Sequence, residues 1–211
     1  MTETWQGIAE RKQKERASRL PETWLLPPSS IDHKRLNVLG VPRESGLLTD
    51  DELKITERYD ATALRDELAS GRLKSVDVVT AFCKRAAIAQ QVTNCLTEML
   101  FDDAHLRAKQ LDEYLTKNGK PMGPLHGLPV SLKDTFNIKG YDASVGVAAF
   151  CFKPATTNAA LVDLLLSQGA VLYCKTNVRQ SHATILCPLT GLICMHIPAE
   201  RKICGGGYRH I

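Results

Sequence analysis

The chain has 211 residues, with 27 Lys+Arg against 23 Asp+Glu, 44% apolar residues and a formal net charge of +4. This is the composition of a globular chain of one domain or two with a core of its own, and it excludes a largely disordered or fibrous polymer. The positive charge is spread without a basic tract and aromatics make up 6%, so no nucleic-acid partner is expected.

Membrane partners are not expected either. The longest apolar stretch, residues 159–174, is cut by Asp163, Ser167, Gln168 and Gly169, and a spanning helix needs 18 or more apolar residues in a row. Met1 to Trp5 and the charged residues 10–19 lack the basic start and apolar block of a secretory leader. The seven cysteines are odd in number and contain no Cys-x-x-Cys pair. Reduced thiols and a cytoplasmic location follow as the expectation.

In chain order, residues 5–20 predict a solvated helix lying on a larger body and ended by Pro21. Residues 21–42 are aperiodic and read as an irregular arm. Thr49 and Glu52 have capping-box spacing, which predicts a helix near 50–57, and a second follows at 61–70, stopped by Gly71. Ser75 begins a longer helix through about Gln90, with Val76, Val79, Phe82, Cys83 and Ala86 on one face. Residues 94–101 predict a strand. Asp102 is then expected to cap a helix through Leu115, buried through Ala104, Ala108, Leu111 and Leu115.

The second half changes pattern. Val130-Ser131-Leu132 predicts a short strand, Asn158 is expected to cap a helix over 159–166, and residues 170–174 predict a buried strand after Gly169. Strand, helix, strand is a βαβ unit, so these two strands should be parallel and the fold class is α/β. From Ser181 onward neither periodicity persists. This tail holds three of the seven cysteines and three of the six histidines.

The stretch richest in chemistry is Gly123-Pro124-Leu125-His126-Gly127-Leu128-Pro129-Val130-Ser131-Leu132-Lys133-Asp134. It is a constrained loop feeding a strand with a lysine at its end. Burial there would favour the neutral amine and make Lys133 a general base, whereas pairing with Asp134 would make it structural. The residues alone leave both open. His126 reads as a loop residue bonding backbone.

This stretch resembles the lysine motif of the amidase signature family, in wording closest to fungal amidases and acetamidases. The similarity includes residues 75–85, Asn94-Cys95-Leu96-Thr97-Glu98, Gly140-Tyr141-Asp142-Ala143-Ser144-Val145-Gly146 and Lys175-Thr176-Asn177-Val178, and spans about residues 20–180. The resemblance implies the N-terminal part of the amidase signature fold, a mixed β-sheet flanked by helices. It implies hydrolysis of a small-molecule carboxylic amide to carboxylate and ammonia without cofactor or metal. The implied mechanism is Ser–cis-Ser–Lys, with Lys133 as the base and a backbone oxyanion site. Asp134 is expected to be structural.

The sequence departs from the family where the serines should stand. The family's Gly-Gly-Ser-Ser-Gly-Gly loop aligns here with Gly205-Gly206-Gly207-Tyr208, so Gly207 occupies the cis-serine position, and no segment matches the nucleophile. Ser131, Ser144 and Thr176 are the substitutes to weigh, though the family pattern places none of them as nucleophile. The expected organisation is a helical and irregular arm over 1–48, a partial amidase domain with an incomplete sheet over 49–180, and an aberrant tail of unassigned fold over 181–211. The 211 residues are expected to be inactive because they retain only the lysine. The alternatives are a non-enzymatic truncated product or pseudoenzyme, and the A subunit of an aminoacyl-tRNA amidotransferase. The tail residues Cys187, Cys194, His196 and Cys204 are of zinc-binding types, but their spacing matches no compact zinc motif and no metal is expected.

Overall fold

A computed structural model describes residues 4–31 and 35–178. Helix α1 (Trp5–Ser18) is followed by single 3-10 turns at Glu22–Trp24 and Pro28–Ser30 and by the short α2 (Val41–Glu44). Then come α3 (Asp50–Glu57), α4 (Ala61–Ala69) and the long α5 (Ser75–Thr93). Strand β1 (Leu96–Met99) leads into α6 (Phe101–Asn118), β2 (Pro129–Lys133), α7 (Ala160–Ser167) and β3 (Val171–Thr176).

Local signals fix several of these boundaries. The Thr49 side chain accepts from the Glu52 N–H at 3.2 Å, while Glu52 accepts from the Thr49 N–H at 2.8 Å. Two otherwise orphaned donors at the start of α3 are thereby satisfied. Asp102 does not cap α6. The helix starts one residue earlier, and Asp102 sits in its first turn, where a negative charge suits the helix dipole. Asn158 does not cap α7 either: its Oδ1 accepts from the Lys139 N–H at 2.7 Å and its amide donates to Asp163.

The N-terminus of α5 is capped from another helix. Asp112 of α6 accepts from the Ser75 N–H at 2.7 Å and the Val76 N–H at 3.1 Å, while Lys74 at the cap position makes no side-chain bond. Helix α5 is buried on more than the one face expected. Val79 and Cys83 pack with α6 and the sheet, Val78 and Ala81 with α4, and Ile88 and Val92 with the N-terminal arm.

The sheet has the order β1-β3-β2, with β1 antiparallel and β2 parallel to β3. The expected βαβ unit is therefore present. Helices α5 and α6 cover one face through the cluster containing Val79, Phe101, Leu111 and Val171, and α7 covers the other through Leu132, Val162 and Leu172. The central strand β3 is already paired on both sides, so among the described residues the open edges belong to β1 and β2. Helix α7 buries Val162 fully and leaves Leu161 and Leu164 40% and 56% exposed.

Candidate active site

The loop before β2 is shaped by contact with the turn between α7 and β3. Leu125 donates to Gln168 O and Gly127 to Gly169 O. A Cβ at Gly123 would lie 2.6 Å from the Gln168 carbonyl oxygen. Gly127 has φ +74°, and a Cβ there would meet Ser75 Oγ at 2.3 Å. Gly123 is thus set by close backbone approach, and Gly127 by its left-handed φ and the adjacent Ser75 side chain. His126 is 1% exposed, and its Nδ1 accepts from the Met122 N–H at 3.0 Å. It bonds backbone, as expected, and burial pushes its pKa below the ordinary histidine value.

Lys133 closes β2. Successive side chains of a strand face opposite ways: Val130 and Leu132 pack toward α7, whereas Ser131 and Lys133 are exposed. Because β2 is an edge strand, the described residues leave Lys133 in solvent, with its Nζ donating to the Asn177 carbonyl at 3.2 Å. Ser131 shares its face. Thr176 instead donates its hydroxyl to Leu132 O, and Ser144, 7% exposed, donates to Asp134.

Lys133 does not pair with Asp134, because adjacent strand residues point apart. Asp134 is buried and lies 3.0 Å from the ammonium of Lys175, which is itself wholly buried. Its other oxygen accepts from Ser144 Oγ at 2.7 Å and from the Val145 N–H at 2.8 Å. The structural reading of Asp134 fits these contacts. Lys175 also donates to the Asp142 carbonyl at 2.5 Å.

Asp142 in turn accepts from Lys12 Nζ at 2.8 Å and the Phe152 N–H at 2.7 Å. Lys12 further touches Glu98 at 2.6 Å and Glu15 at 2.9 Å, and Arg19 bonds both of those carboxylates. Burial works against the Lys12 ammonium, but its bonds to Asp142, Glu98 and Glu15 prevail and hold its pKa above the ordinary lysine value. Helix α1 is therefore docked by charge: Ala9 and Lys12 are its buried residues. Sequence reasoning missed Lys12, Asp142 and Lys175 as partners. The one legible signal was a lysine, Lys175, directly after the apolar run 170–174.

The tail positions Cys187, Cys194, His196, Cys204, Gly207 and Tyr208 lie outside the described residues. Among the described residues no group of three or more His, Cys, Asp or Glu is placed to hold a metal, and no helix is long and apolar enough to cross a membrane.

The family model described as Amidase matches residues 77–207, which include the whole loop, β2 and β3. The chain belongs to the amidase family. The match continues past residue 180 into the segment expected to follow a different pattern. An amidase of Gibberella moniliformis is 47% identical over 182 residues, covering 84% of this chain and 34% of that protein. An acetamidase of Emericella nidulans is 43% identical over 181 residues, covering 86% and 32%. Among solved structures, a fatty acid amide hydrolase superposes with a TM-score of 0.76 at 31% identity, covering 84% of this chain and 32% of that one. This amidase-family chain thus spans about a third of the length of the relatives it matches, and the solved fold confirms the mixed α/β architecture.

Proposed function

We propose that this chain carries the lysine-bearing part of a carboxylic-amide hydrolase, with Lys133 as the base of a Ser–cis-Ser–Lys mechanism. One observation carries the reading. In an amidase-family chain, Lys133 Nζ stands exposed at the carboxyl end of the parallel pair β2 and β3, and open α/β sheets bind ligands outside those strand ends. In this reading Lys133 takes a proton from a cis-serine, which deprotonates the nucleophilic serine. That serine attacks the amide carbonyl, ammonia leaves, and water releases the carboxylate.

The 211 residues alone are read as inactive, since Gly207 and Tyr208 stand where the serine pair is expected. The working division is an arm over 1–48, a partial amidase domain over 49–180 and a tail of unassigned fold over 181–211. The names of the relatives above, amidase and acetamidase, support a small amide as substrate over charged transfer RNA. Among the described residues, Cys83, Cys95, Cys151 and Cys174 are free thiols, which supports a reducing, cytoplasmic setting.

The test has two arms. The pure 211-residue chain should release no ammonia from acetamide or benzamide. Residues 1–178 joined to the remaining part of an amidase-family chain should be active, and Lys133→Met in that hybrid should lower kcat by roughly a thousandfold. Turnover by the 211 residues, or an active Lys133→Met hybrid, would overturn the reading.

A further inference from the structure

Three described residues other than glycine adopt left-handed backbone: Asn94 (φ 54°), Val145 (φ 51°) and Phe152 (φ 58°). A β-branched residue rarely adopts that conformation. Two of the three are held the same way, by a backbone N–H bonded to a buried carboxylate. Val145 donates to Asp134 and Phe152 to Asp142. Lys175 links the two residues, pairing with the Asp134 carboxylate and donating to the Asp142 backbone carbonyl. Asp142 is held from its far side by Lys12 of α1.

We infer that Lys12, Asp142, Lys175 and Asp134 are positioning residues that together set the turn at residues 144–146 beside the end of β2 that carries Lys133. The inference rests on the proposed role of Lys133. Asp134 directly follows Lys133, and its N–H donates to the Thr176 carbonyl at 3.0 Å. Lys175 directly precedes Thr176, the β3 residue in register with Lys133. The buried pair therefore anchors both strands at the point where Lys133 emerges. Its second carboxylate oxygen holds Ser144 and Val145, and keeps Val145 in a conformation that its own backbone preference opposes.

Packing alone does not account for this arrangement. Apolar side chains of similar volume fill such a space at no loss of stability, and strained backbone persists where surrounding contacts over-determine it, most often at functional sites. The N-terminal helix is thereby part of the site's support, although Lys12 is 121 residues before Lys133 in the chain.

The test is competitive acetylation of the lysines of the full 211-residue chain with acetic anhydride across pH, read by peptide mass spectrometry, with hydrogen exchange at the Val145 and Phe152 amides. The exposed Lys120 is the control. In Lys12→Met and Asp142→Asn, the acetylation rate of Lys133 relative to Lys120 should change by about threefold, as expected when coupled supporting contacts are removed. Lys120 should not change, and Lys12→Arg should restore the parent profile. Exchange at Val145 should accelerate in Lys12→Met even though Lys12 does not bond it. If Phe152 exchange changes alone while Lys133 and Val145 keep the parent behaviour, the inference is overturned. Should Lys12→Met and Asp142→Asn fail to fold, Ser144→Ala removes one bond to Asp134 without altering charge, and an unchanged Lys133 profile there overturns it equally. An active Lys133→Met hybrid would defeat the amidase role of Lys133 without touching these readouts.

Discussion

The Asp134 carboxylate and the Lys175 ammonium lie 3.0 Å apart, each with no more than 1% of its side chain in solvent. Removing one member leaves the other charge buried without its counter-ion, which costs about 3–5 kcal/mol. Lys175→Met should lower the unfolding free energy by that amount in urea titrations followed by circular dichroism. Adding Asp134→Asn should restore part of it, because a neutral amide needs no counter-charge. A loss below about 1 kcal/mol for Lys175→Met would contradict a desolvated pair.

Asp112 supplies α5 with a cap that its own sequence lacks. Asp112→Ala should cost about 1–2 kcal/mol, in the range of lost helix caps. Asp112→Asn keeps an oxygen acceptor and should cost less than the alanine variant. Equal losses in the two variants would show that the acceptor geometry at the Ser75 and Val76 N–H groups is not what matters.

His126 gives a pH dependence with a definite sign. Its folded pKa lies below the ordinary value of 6.5, first because burial disfavours the imidazolium. The unfolded chain therefore binds the proton more readily. The stability this histidine contributes is complete above pH 6.5 and is lost as pH falls from there toward the folded pKa. Denaturation midpoints should fall across that window, and His126→Gln should flatten the slope. An unchanged slope in the variant would assign the dependence to other groups.

Gly123 tests the motif loop as architecture. A methyl group there would press on the Gln168 backbone carbonyl, which belongs to the turn that holds the loop. Gly123→Ala should destabilise by about 1–3 kcal/mol, as overpacking does. Gly119, with φ 64° and open space around its Cβ position, serves as the comparison. Gly119→Ala has only its backbone conformation to oppose it, at a cost of about 1–2 kcal/mol.

How much was legible divides along contact range. The Thr49–Glu52 box, the stop at Gly71 and the parallel pairing of β2 with β3 were all readable, because each depends on neighbours in sequence or on a chirality rule. The two misassigned caps, Asp102 and Asn158, have the right residue type in the right place. Asn158 failed because its side chain is taken by Lys139 and Asp163, and Asp102 because α6 already begins at Phe101. The face of α5 was underestimated because three separate clusters converge on it.

The sequence by itself determined the family, the α/β class and Lys133 as the residue to watch, since a specific motif and short-range periodicity carry all three. Only the tertiary structure decided which lysine is buried. Strand alternation and the edge position of β2 turn Lys133 outward, while the central strand β3 carries Lys175 into the interior beside Asp134. It also decided that α1 is docked through the ion pairs of Lys12 beside a small apolar contact at Ala9. A buried charge is stable only where distant chain segments bring its partners together, and that meeting is fixed by the fold.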